Sequence, residues 1–303
     1  MTTMTHSARP GRRPGQKILL IGGTGLVSVI AALVVLSIIS GYGLNVRAFG
    51  SAVMSMIRAV SNHSTVIAAN GEYRNVVFLH HSVGRGFIEQ GALRDLFTAA
   101  GYQLWDHDYN YPGLTDPTGK MLGYNYNVPA DNTDPDGLFN IFTQPIYDWP
   151  VNTLSGLMQH EVIVFKSCYP ASDITSDEGL EKRKTWYLAM RDFMDRHREK
   201  VFVLVTPPPL NPAETSPAAA QRARAITDWL TSAEFSSGHP NLFVFDLFSR
   251  LAEDDASRAD AYMLRQDYRS EADSHPTQVA NEKISPELFQ FVTQSIDQYR
   301  RNH

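Results

Sequence analysis

The sequence predicts a doubly wound α/β domain, in which helices cover both faces of a parallel β-sheet. Five short runs rich in apolar, β-branched and aromatic residues recur along the chain, at residues 75–80, 102–106, 161–166, 201–206 and 242–246. Segments with helical patterning separate or follow them, at residues 86–99, 145–159, 177–198, 217–233 and 279–299. Strands that are apolar throughout are buried on both faces, as a parallel sheet between two helical layers requires. Alternation of such strands with helices is typical of one α/β domain.

The segment before the first strand has the character of a membrane anchor. Residues 18–39 are 22 consecutive residues without a charge, enough at about 1.5 Å of rise per residue to cross a hydrocarbon core about 30 Å thick. The positive-inside rule places the four basic residues that precede this run in the cytoplasm: Arg9, Arg12, Arg13 and Lys17. We therefore expect a cytoplasmic tail at 1–17, a transmembrane anchor at 18–44, a juxtamembrane linker at 45–72 and an extracytoplasmic domain at 73–303.

Composition and charge exclude several classes of function. The 303 residues carry a formal net charge of -5, and the main body shows no cluster of lysine and arginine, so nucleic acid is not an expected partner. Cys168 is the single cysteine, which excludes an internal disulfide framework and a zinc site built from several thiolates. No compact cofactor or metal motif is evident in the folded domain, so no cofactor is expected.

The end of the first predicted strand carries the first candidate for chemistry. The stretch VVFLHHSVGRGF is apolar for four residues and then continues with His80, His81 and Ser82. Successive strand residues point to opposite faces, so only one of the two histidines is expected to face the site. Ser82 is either the N-cap of the next helix or a nucleophile. Gly84 and Gly86 are expected to let the backbone approach a substrate closely.

Polar residues also follow the other predicted strands, and ligands of open parallel sheets bind beyond the carboxyl ends of the strands. A serine hydroxyl needs a base within hydrogen-bond reach and a third group that orients the base. His275, just before the last predicted helix, is the best candidate for the base. Asp273, two residues earlier, is placed to hold the imidazole in the required tautomer. Ser82, His275 and Asp273 are therefore the predicted catalytic residues.

The insert between the second and third predicted strands is long and shows little periodicity. Residues 106–149 are rich in Tyr, Asn, Gly, Pro and Asp, and long connections of this kind inside a compact domain are usually functional. The rings of the insert either form a substrate-covering or sugar-stacking wall, or pack against the edge of the sheet. They belong to Tyr109, Tyr111, Tyr124, Tyr126 and Trp149.

The segments VVFLHHSVG and ADSHPT resemble the SGNH or GDSL hydrolases, and the resemblance extends from residue 75 to the C-terminus. It implies a flavodoxin-like three-layer sandwich with a five-stranded parallel sheet, and an enzyme that removes or transfers acyl groups. It also implies that Ser82 is the nucleophile, His275 the base and Asp273 the orienting acid. Gly113, in the loop after the second strand, would be an oxyanion donor.

The chain departs from the family pattern at two motifs. His80 and His81 replace the Gly-Asp that precedes the serine, and KSCYPASD replaces the Gly-x-Asn-Asp of the third motif. The asparagine that completes the oxyanion hole is therefore missing. Its substitute would be Ser172 or backbone N–H groups near Ser167 and Cys168. His81 and Asn110 are the further candidates for contact with substrate or oxyanion.

The expected function is that of an anchored, extracytoplasmic serine esterase or acyl-transferring enzyme, acting on O-acyl groups of carbohydrate. One alternative is an inactive domain of the same fold that binds polysaccharide, which the missing asparagine favours. The other is a metal-dependent hydrolase, whose ligands would come from a loose group of histidines and aspartates with an open position for water. That group comprises His80 or His81, Asp106 or Asp108, His107 and His275.

Overall fold

The computed structural model divides the chain into two units, Met1–Ser51 and Ala52–His303. It describes residues 28–39, 43–47, 49–50, 53–54, 57, 70–108, 113–122, 126, 128, 134–148, 150, 152–270 and 273–302. In the first unit, residues 28–39 are helical. Across the described residues, no helix is both long enough and apolar enough to span a membrane. Residues 18–27 and 40–42 of the predicted anchor lie outside the described residues, so the anchor stays a prediction.

The second unit is built on a mostly parallel sheet. In the described part of the chain the strands are β1 (Asn75–His80), β2 (Gln103–Asp108), β3 (Gly113–Thr115), β4 (Val162–Lys166), β5 (Val201–Val205) and β6 (Leu242–Phe245). Their order is β3-β2-β1-β4-β5-β6, and all neighbours are parallel except β2 and β3. The order of the five parallel strands is that of flavodoxin-like folds. The five predicted strands are all present. The short antiparallel edge strand β3 was not predicted.

Helices form a layer on each face of the sheet. The described α-helices that follow β1 are α1 (Ser82–Glu89), α2 (Leu93–Ala99), α3 (Pro135–Phe142), α4 (Thr153–Leu157), α5 (Asp177–Arg196), α6 (Pro217–Thr231), α7 (Ala233–Ser236), α8 (Leu247–Leu251) and α9 (Gln278–Asn302). One apolar cluster joins sheet residues such as Ile163 and Phe202 to α3, α4, α5 and α6. The other joins Val76 and Val164 to α1, α2 and α9. Alternate residues of the five parallel strands enter opposite clusters, which gives a three-layer sandwich.

Most predicted elements differ from the structure by a few residues in their bounds, and some differ in kind. The helix predicted at 86–99 is two helices, because Ala92 adopts a left-handed conformation (φ 52°) between α1 and α2. The second strand extends beyond residue 106 to Asp108, because β3 pairs with this end of β2 and prolongs the ladder. The helix predicted at 145–159 is reduced to α4, and the insert contains the unpredicted helix α3.

Glu161, immediately before β4, ties the segment that leads into β1 to the sheet. Its Oε1 accepts hydrogen bonds from the backbone N–H groups of Asn70 (3.1 Å) and Gly71 (2.7 Å). Its Oε2 accepts from those of Arg74 (3.0 Å) and Asn75 (3.2 Å). Desolvation raises the pKa of the buried Glu161 carboxyl, but the backbone donors outweigh it and hold the pKa below its ordinary value of 4.5.

We expect Glu161→Gln to lower the free energy of unfolding by about 3 kcal/mol at pH 7, measured by urea denaturation. The amide replaces a charge with a neutral group and turns an NH₂ towards backbone donors. Because the folded-state pKa is lowered, the contribution of Glu161 is complete above pH 4.5 and disappears as the pH falls through that lowered value. The control Glu181→Gln removes only an exposed ion pair with Lys184, so its effect should stay below about 1 kcal/mol. Equal stability of wild type and Glu161→Gln at pH 7 would contradict this account.

Candidate active site

Ser82 lies where β1 passes into α1, at the carboxyl edge of the parallel sheet. The apolar strand ends at His80, and His81 adopts an extended conformation as the N-cap residue of α1. The first backbone hydrogen bond of α1 runs from the N–H of Arg85 to the carbonyl of His81, over 3.1 Å. The N–H of Ser82 therefore precedes the hydrogen-bonded ladder of the helix, at its positive end.

The structure brings Ser82, His275 and Asp273 into one hydrogen-bonded chain. Ser82 Oγ lies 2.6 Å from His275 Nε2, although the two residues are 193 positions apart. His275 Nδ1 lies 2.9 Å from Asp273 Oδ2, and the backbone N–H of His275 donates to Asp273 Oδ1 over 2.8 Å. A carboxylate can only accept, so Nδ1 carries the imidazole proton and Nε2 is left to accept the proton of Ser82. The arrangement is that of a nucleophile, its base and an orienting acid.

The charge on Asp273 is stabilised by the residue that it orients. Desolvation raises the pKa of this carboxyl, but hydrogen bonds from the backbone and ring of His275 outweigh it, so the pKa lies below its ordinary value. Asp273 is therefore ionised at neutral pH. An ionised carboxylate keeps the Nδ1–H tautomer of His275 and favours the imidazolium that forms when the ring takes up a proton.

The loop that follows β5 holds the Asp273–His275 segment in place. The N–H of Asn211 donates to Ser274 Oγ over 2.8 Å, and Ser274 Oγ in turn donates to Glu214. Asn211 Nδ2 donates to the carbonyls of Ser270 (3.0 Å) and Asp273 (3.1 Å). Sequence reasoning did not identify Asn211 or Glu214. Their one signal was their position beyond the carboxyl end of a predicted strand.

The divergent third motif, KSCYPASD, also reaches the site. The rings of Tyr169 and His275 pack edge to face, with centroids 5.0 Å apart and planes at 82°. Cys168 Sγ lies 3.9 Å from Ser82 Oγ, and its side chain is buried. Tyr169 was not predicted as a site residue, because an aromatic ring in a loop carries no specific signal. The segment therefore borders the nucleophile although it lacks the family asparagine.

Gly84 and Gly86 leave room for packing contacts, a role that the sequence analysis did not predict. A Cβ on Gly84 would lie 2.4 Å from the Cβ of His80, and one on Gly86 would lie 2.5 Å from Asn281 Nδ2. Real Cβ atoms do not approach other atoms so closely. The first glycine lets α1 pack on the end of β1, and the second lets α1 pack on α9. Close packing of α9 brings His275, three residues before that helix, to Ser82.

Ser172 and Gly113 are not placed as expected, and the roles predicted for His81 and Asn110 stay predictions. The buried hydroxyl of Ser172 donates to the carbonyl of Pro208 over 2.8 Å, so its proton is not directed at a substrate. The side chain of His81 is buried. Gly113 lies in β3 opposite Asp108, with φ 83°, and not in a loop. Asn110 lies outside the described residues.

The candidate metal ligands are distributed over separate contacts. His80 contacts Asp106, whereas His275 contacts Ser82. His107 Nε2 accepts the backbone N–H of Tyr126 over 3.0 Å, and burial lowers the pKa of His107 to about 3. Within the described ranges, no three or more His, Cys, Asp or Glu side chains form a group that could hold a metal ion.

The described part of the aromatic insert packs on the sheet. The ring of Tyr126 is buried, stacks on His107 with centroids 5.4 Å apart, and shares a 2.8 Å hydrogen bond with His160 Nε2 through its hydroxyl. The alternative of packing at the sheet edge therefore holds for Tyr126. Of the other rings that the sequence singled out, Tyr109, Tyr111, Tyr124 and Trp149 lie outside the described residues.

A cavity of about 370 Å³ lies beside α1, and Arg85, one helical turn after Ser82, lines it. Arg85 Nε donates to Asp108 Oδ2 over 2.6 Å, which neutralises a buried carboxylate at the end of β2. Charged and polar side chains, among them Arg94, Asp106 and Thr115, line the cavity, while apolar atoms, including those of Ile88 and Met121, form the larger part of its surface. The cavity therefore suits a polar group that carries some apolar surface.

Comparison with known proteins identifies the fold. No family model and no curated protein matches the chain. A candidate acylhydrolase from Bacteroides fragilis matches with a TM-score of 0.50 and 12% identity, over 79% of this chain and 96% of the other. A GDSL-like lipase from Bacteroides thetaiotaomicron matches with a TM-score of 0.46 and 10% identity, over 80% of this chain and 97% of the other, too low a score to support an argument. The likeness to the acylhydrolase confirms the predicted α/β fold, in which helices cover a mostly parallel sheet.

Proposed function

We propose that this protein is a serine-dependent ester hydrolase. The observation that carries the proposal is the 2.6 Å contact between Ser82 Oγ and His275 Nε2, with Asp273 bound to the other ring nitrogen. A serine hydroxyl becomes an effective nucleophile only when a base accepts its proton during attack, and this geometry supplies that base. The likeness in fold to a candidate acylhydrolase supports the same class of reaction.

The reaction proceeds through an acyl-enzyme. His275 Nε2 takes the proton of Ser82 while Oγ attacks the acyl carbon, and the carbonyl oxygen becomes an oxyanion. The tetrahedral intermediate collapses when the C–O bond to the alcohol breaks and the imidazolium gives its proton to the leaving oxygen. Water, or an acceptor hydroxyl, then attacks the acyl-enzyme with His275 again as the base. Release of the acid, or of the new ester, restores Ser82.

Backbone N–H groups take the place of the missing asparagine in this proposal. The N–H of Ser82 lies at the free N-terminal end of α1, where the helix dipole favours negative charge. The second donor is a backbone N–H of the Ser167–Cys168 segment, which is supported by the contact between Cys168 Sγ and Ser82 Oγ. Donors of this kind stabilise the charge that develops on the carbonyl oxygen.

The substrate that we propose is an O-acyl group on a hydroxyl-rich alcohol, such as a carbohydrate outside the cytoplasm. Its support is the cavity beside Arg85, a residue of the helix that Ser82 begins, where charged side chains are available to bind hydroxyl groups. The extracytoplasmic location, with residues 18–44 as a single-pass anchor, rests on the uncharged run and the basic residues before it.

A second candidate is an inactive domain that binds the same carbohydrate, and the absent third-motif asparagine favours it. Turnover by the full-length chain separates the two. We expect saturable release of 4-nitrophenolate from 4-nitrophenyl acetate and release of acetate from an O-acetylated saccharide, both unchanged by a chelator. Saccharide binding without acetate release would favour the binding domain. Loss of turnover with a chelator, restored by a divalent metal, would favour the metal-dependent alternative.

A further inference from the structure

The ring of His80 is hydrogen-bonded to the peptide group that precedes the nucleophile. His80 Nδ1 lies 2.8 Å from the carbonyl oxygen of His81, and the ring is buried. A carbonyl oxygen can only accept a hydrogen bond, so Nδ1 is the donor. The same oxygen accepts the N–H of Arg85 at the start of α1, so both of its acceptor positions are occupied. The His81–Ser82 peptide is therefore held from two directions.

The orientation of that peptide fixes the backbone N–H of Ser82. A trans peptide group is planar, and its C=O and N–H bonds point in opposite directions. The carbonyl of His81 is directed towards the His80 ring and the first turn of α1. The N–H of Ser82 is therefore directed away from both, out of the N-terminal end of the helix. This N–H is the first of the oxyanion donors in the proposed reaction.

The ring of His80 is itself held on several sides. Gly84 lies directly against it, and Phe78 packs on it with centroids 4.9 Å apart. Desolvation lowers the pKa of His80 to about 4, against the opposing effect of the Asp108 carboxylate, while Lys166 and Arg85 lower it further. The ring is therefore neutral at pH 7, and its one proton is on Nδ1. Nε2 then carries no proton and faces Asp106 Oδ2 at 3.3 Å, a contact between two acceptors whose repulsion is offset by the ion pair of Asp106 with Arg94.

We propose that His80 is a positioning residue, which holds the His81–Ser82 peptide so that the N–H of Ser82 meets the developing oxyanion. The proposal rests on the proposed ester hydrolysis. The donor on His80 contacts no substrate, so its loss lowers the rate of the chemical step and leaves substrate binding unchanged. The residue occupies the position of the family's glycine before the serine, and it supplies a constraint that a glycine has no side chain to provide.

The matched variants His80→Asn and His80→Leu test this inference, because the two side chains are similar in size and only the amide can donate in the place of Nδ1. Both lose the ring packing and the contact with Asp106. We expect His80→Asn to keep kcat for 4-nitrophenyl acetate within about threefold of wild type. We expect His80→Leu to lose about 10- to 100-fold in kcat, with KM within about twofold, since one misdirected oxyanion donor has effects of up to this order. The rate of phosphonylation of Ser82 by a fluorophosphonate should fall in parallel.

Circular dichroism and thermal unfolding serve as the folding control. Should His80→Leu fail it, His80→Gln replaces it, because its amide reaches the position of Nε2 and not that of Nδ1. Wild-type kcat in a folded variant without the donor, or equal losses in His80→Asn and His80→Leu, would overturn the proposal. If His80→Leu and His80→Gln both fail to fold while His80→Asn folds, the proposal is overturned too, since the donor would then serve stability alone. Absence of turnover in the wild type would refute the proposed function instead, and this inference with it.

Discussion

Replacing Ser82 with alanine is expected to reduce the turnover of 4-nitrophenyl acetate by at least about a thousandfold, because no other hydroxyl is placed against His275 among the described residues. The fold should be retained, since Ser82 is only half-buried and its Oγ makes polar contacts with His275 and Cys168 rather than with the hydrophobic core. The measurement is kcat/KM at pH 7.5 on the purified full-length chain, with thermal unfolding as the control for folding.

Ser172→Ala is the matched control for this prediction. It removes a buried hydroxyl that donates to the carbonyl of Pro208, so we expect a loss of about 1 kcal/mol in stability and turnover within about twofold of wild type. Substantial residual turnover in Ser82→Ala would exclude Ser82 as the nucleophile. A loss in Ser172→Ala as large as that in Ser82→Ala would show that Ser172 acts in the oxyanion hole after all.

Replacing His275 with alanine is expected to lower kcat by about 10³- to 10⁴-fold, with little change in KM. The variant keeps the hydroxyl of Ser82 and loses the group that takes its proton, so the nucleophile is no longer activated. The double variant Ser82→Ala with His275→Ala should be no slower than Ser82→Ala alone, because residues that act as a unit are not additive. The measurement is steady-state kinetics of both single variants and of the double variant.

His239→Ala provides the control, because His239 forms a similar pair elsewhere, with Nδ1 lying 2.7 Å from Asp195 Oδ1. It should leave kcat unchanged. A loss of activity confined to His275→Ala would assign the effect to the base at Ser82. Additive losses in the double variant would instead indicate that Ser82 and His275 act independently, and would contradict a shared proton.

The parallel strands could be predicted from the sequence because burial on both faces leaves a simple pattern. Each of the five predicted apolar runs overlaps a strand, and each strand of that set lies between helical layers. The edge strand β3 could not be predicted in the same way. It is three residues long, and it exists because the chain turns back to pair with the end of β2. Such pairing depends on how two segments of the chain align, and a strand of three residues is too short to show an alternating pattern in the sequence.

The convergence of Ser82 with Asp273 and His275 could be expected, because residues at the carboxyl ends of parallel strands meet at one edge of the sheet. Their catalytic roles stay a proposal. The bonds that hold the segment could not be foreseen, since Asn211 binds Ser274 through a backbone N–H and a hydroxyl 63 positions away. Bonds of this kind depend on the conformation of two loops and carry no sequence pattern.

The glycines near the nucleophile show how one residue type can support two explanations. The spacing of Gly84 and Gly86 is compatible both with close approach of a substrate and with close packing of helices. Only the coordinates show that the absent side chains leave room for His80 and Asn281. The sequence therefore indicated where the chain needs space, and the packing determined which group fills it.

The central claim is that Ser82 is a nucleophile activated by His275, and covalent labelling tests it most directly. The full-length chain is treated with a fluorophosphonate, and the modified residue is identified by mass spectrometry of its peptides. We expect one phosphonyl group per chain, on Ser82, with no labelling in Ser82→Ala and labelling slowed by at least about a hundredfold in His275→Ala. Labelling of a different residue, or none in a folded wild-type protein, would contradict the account.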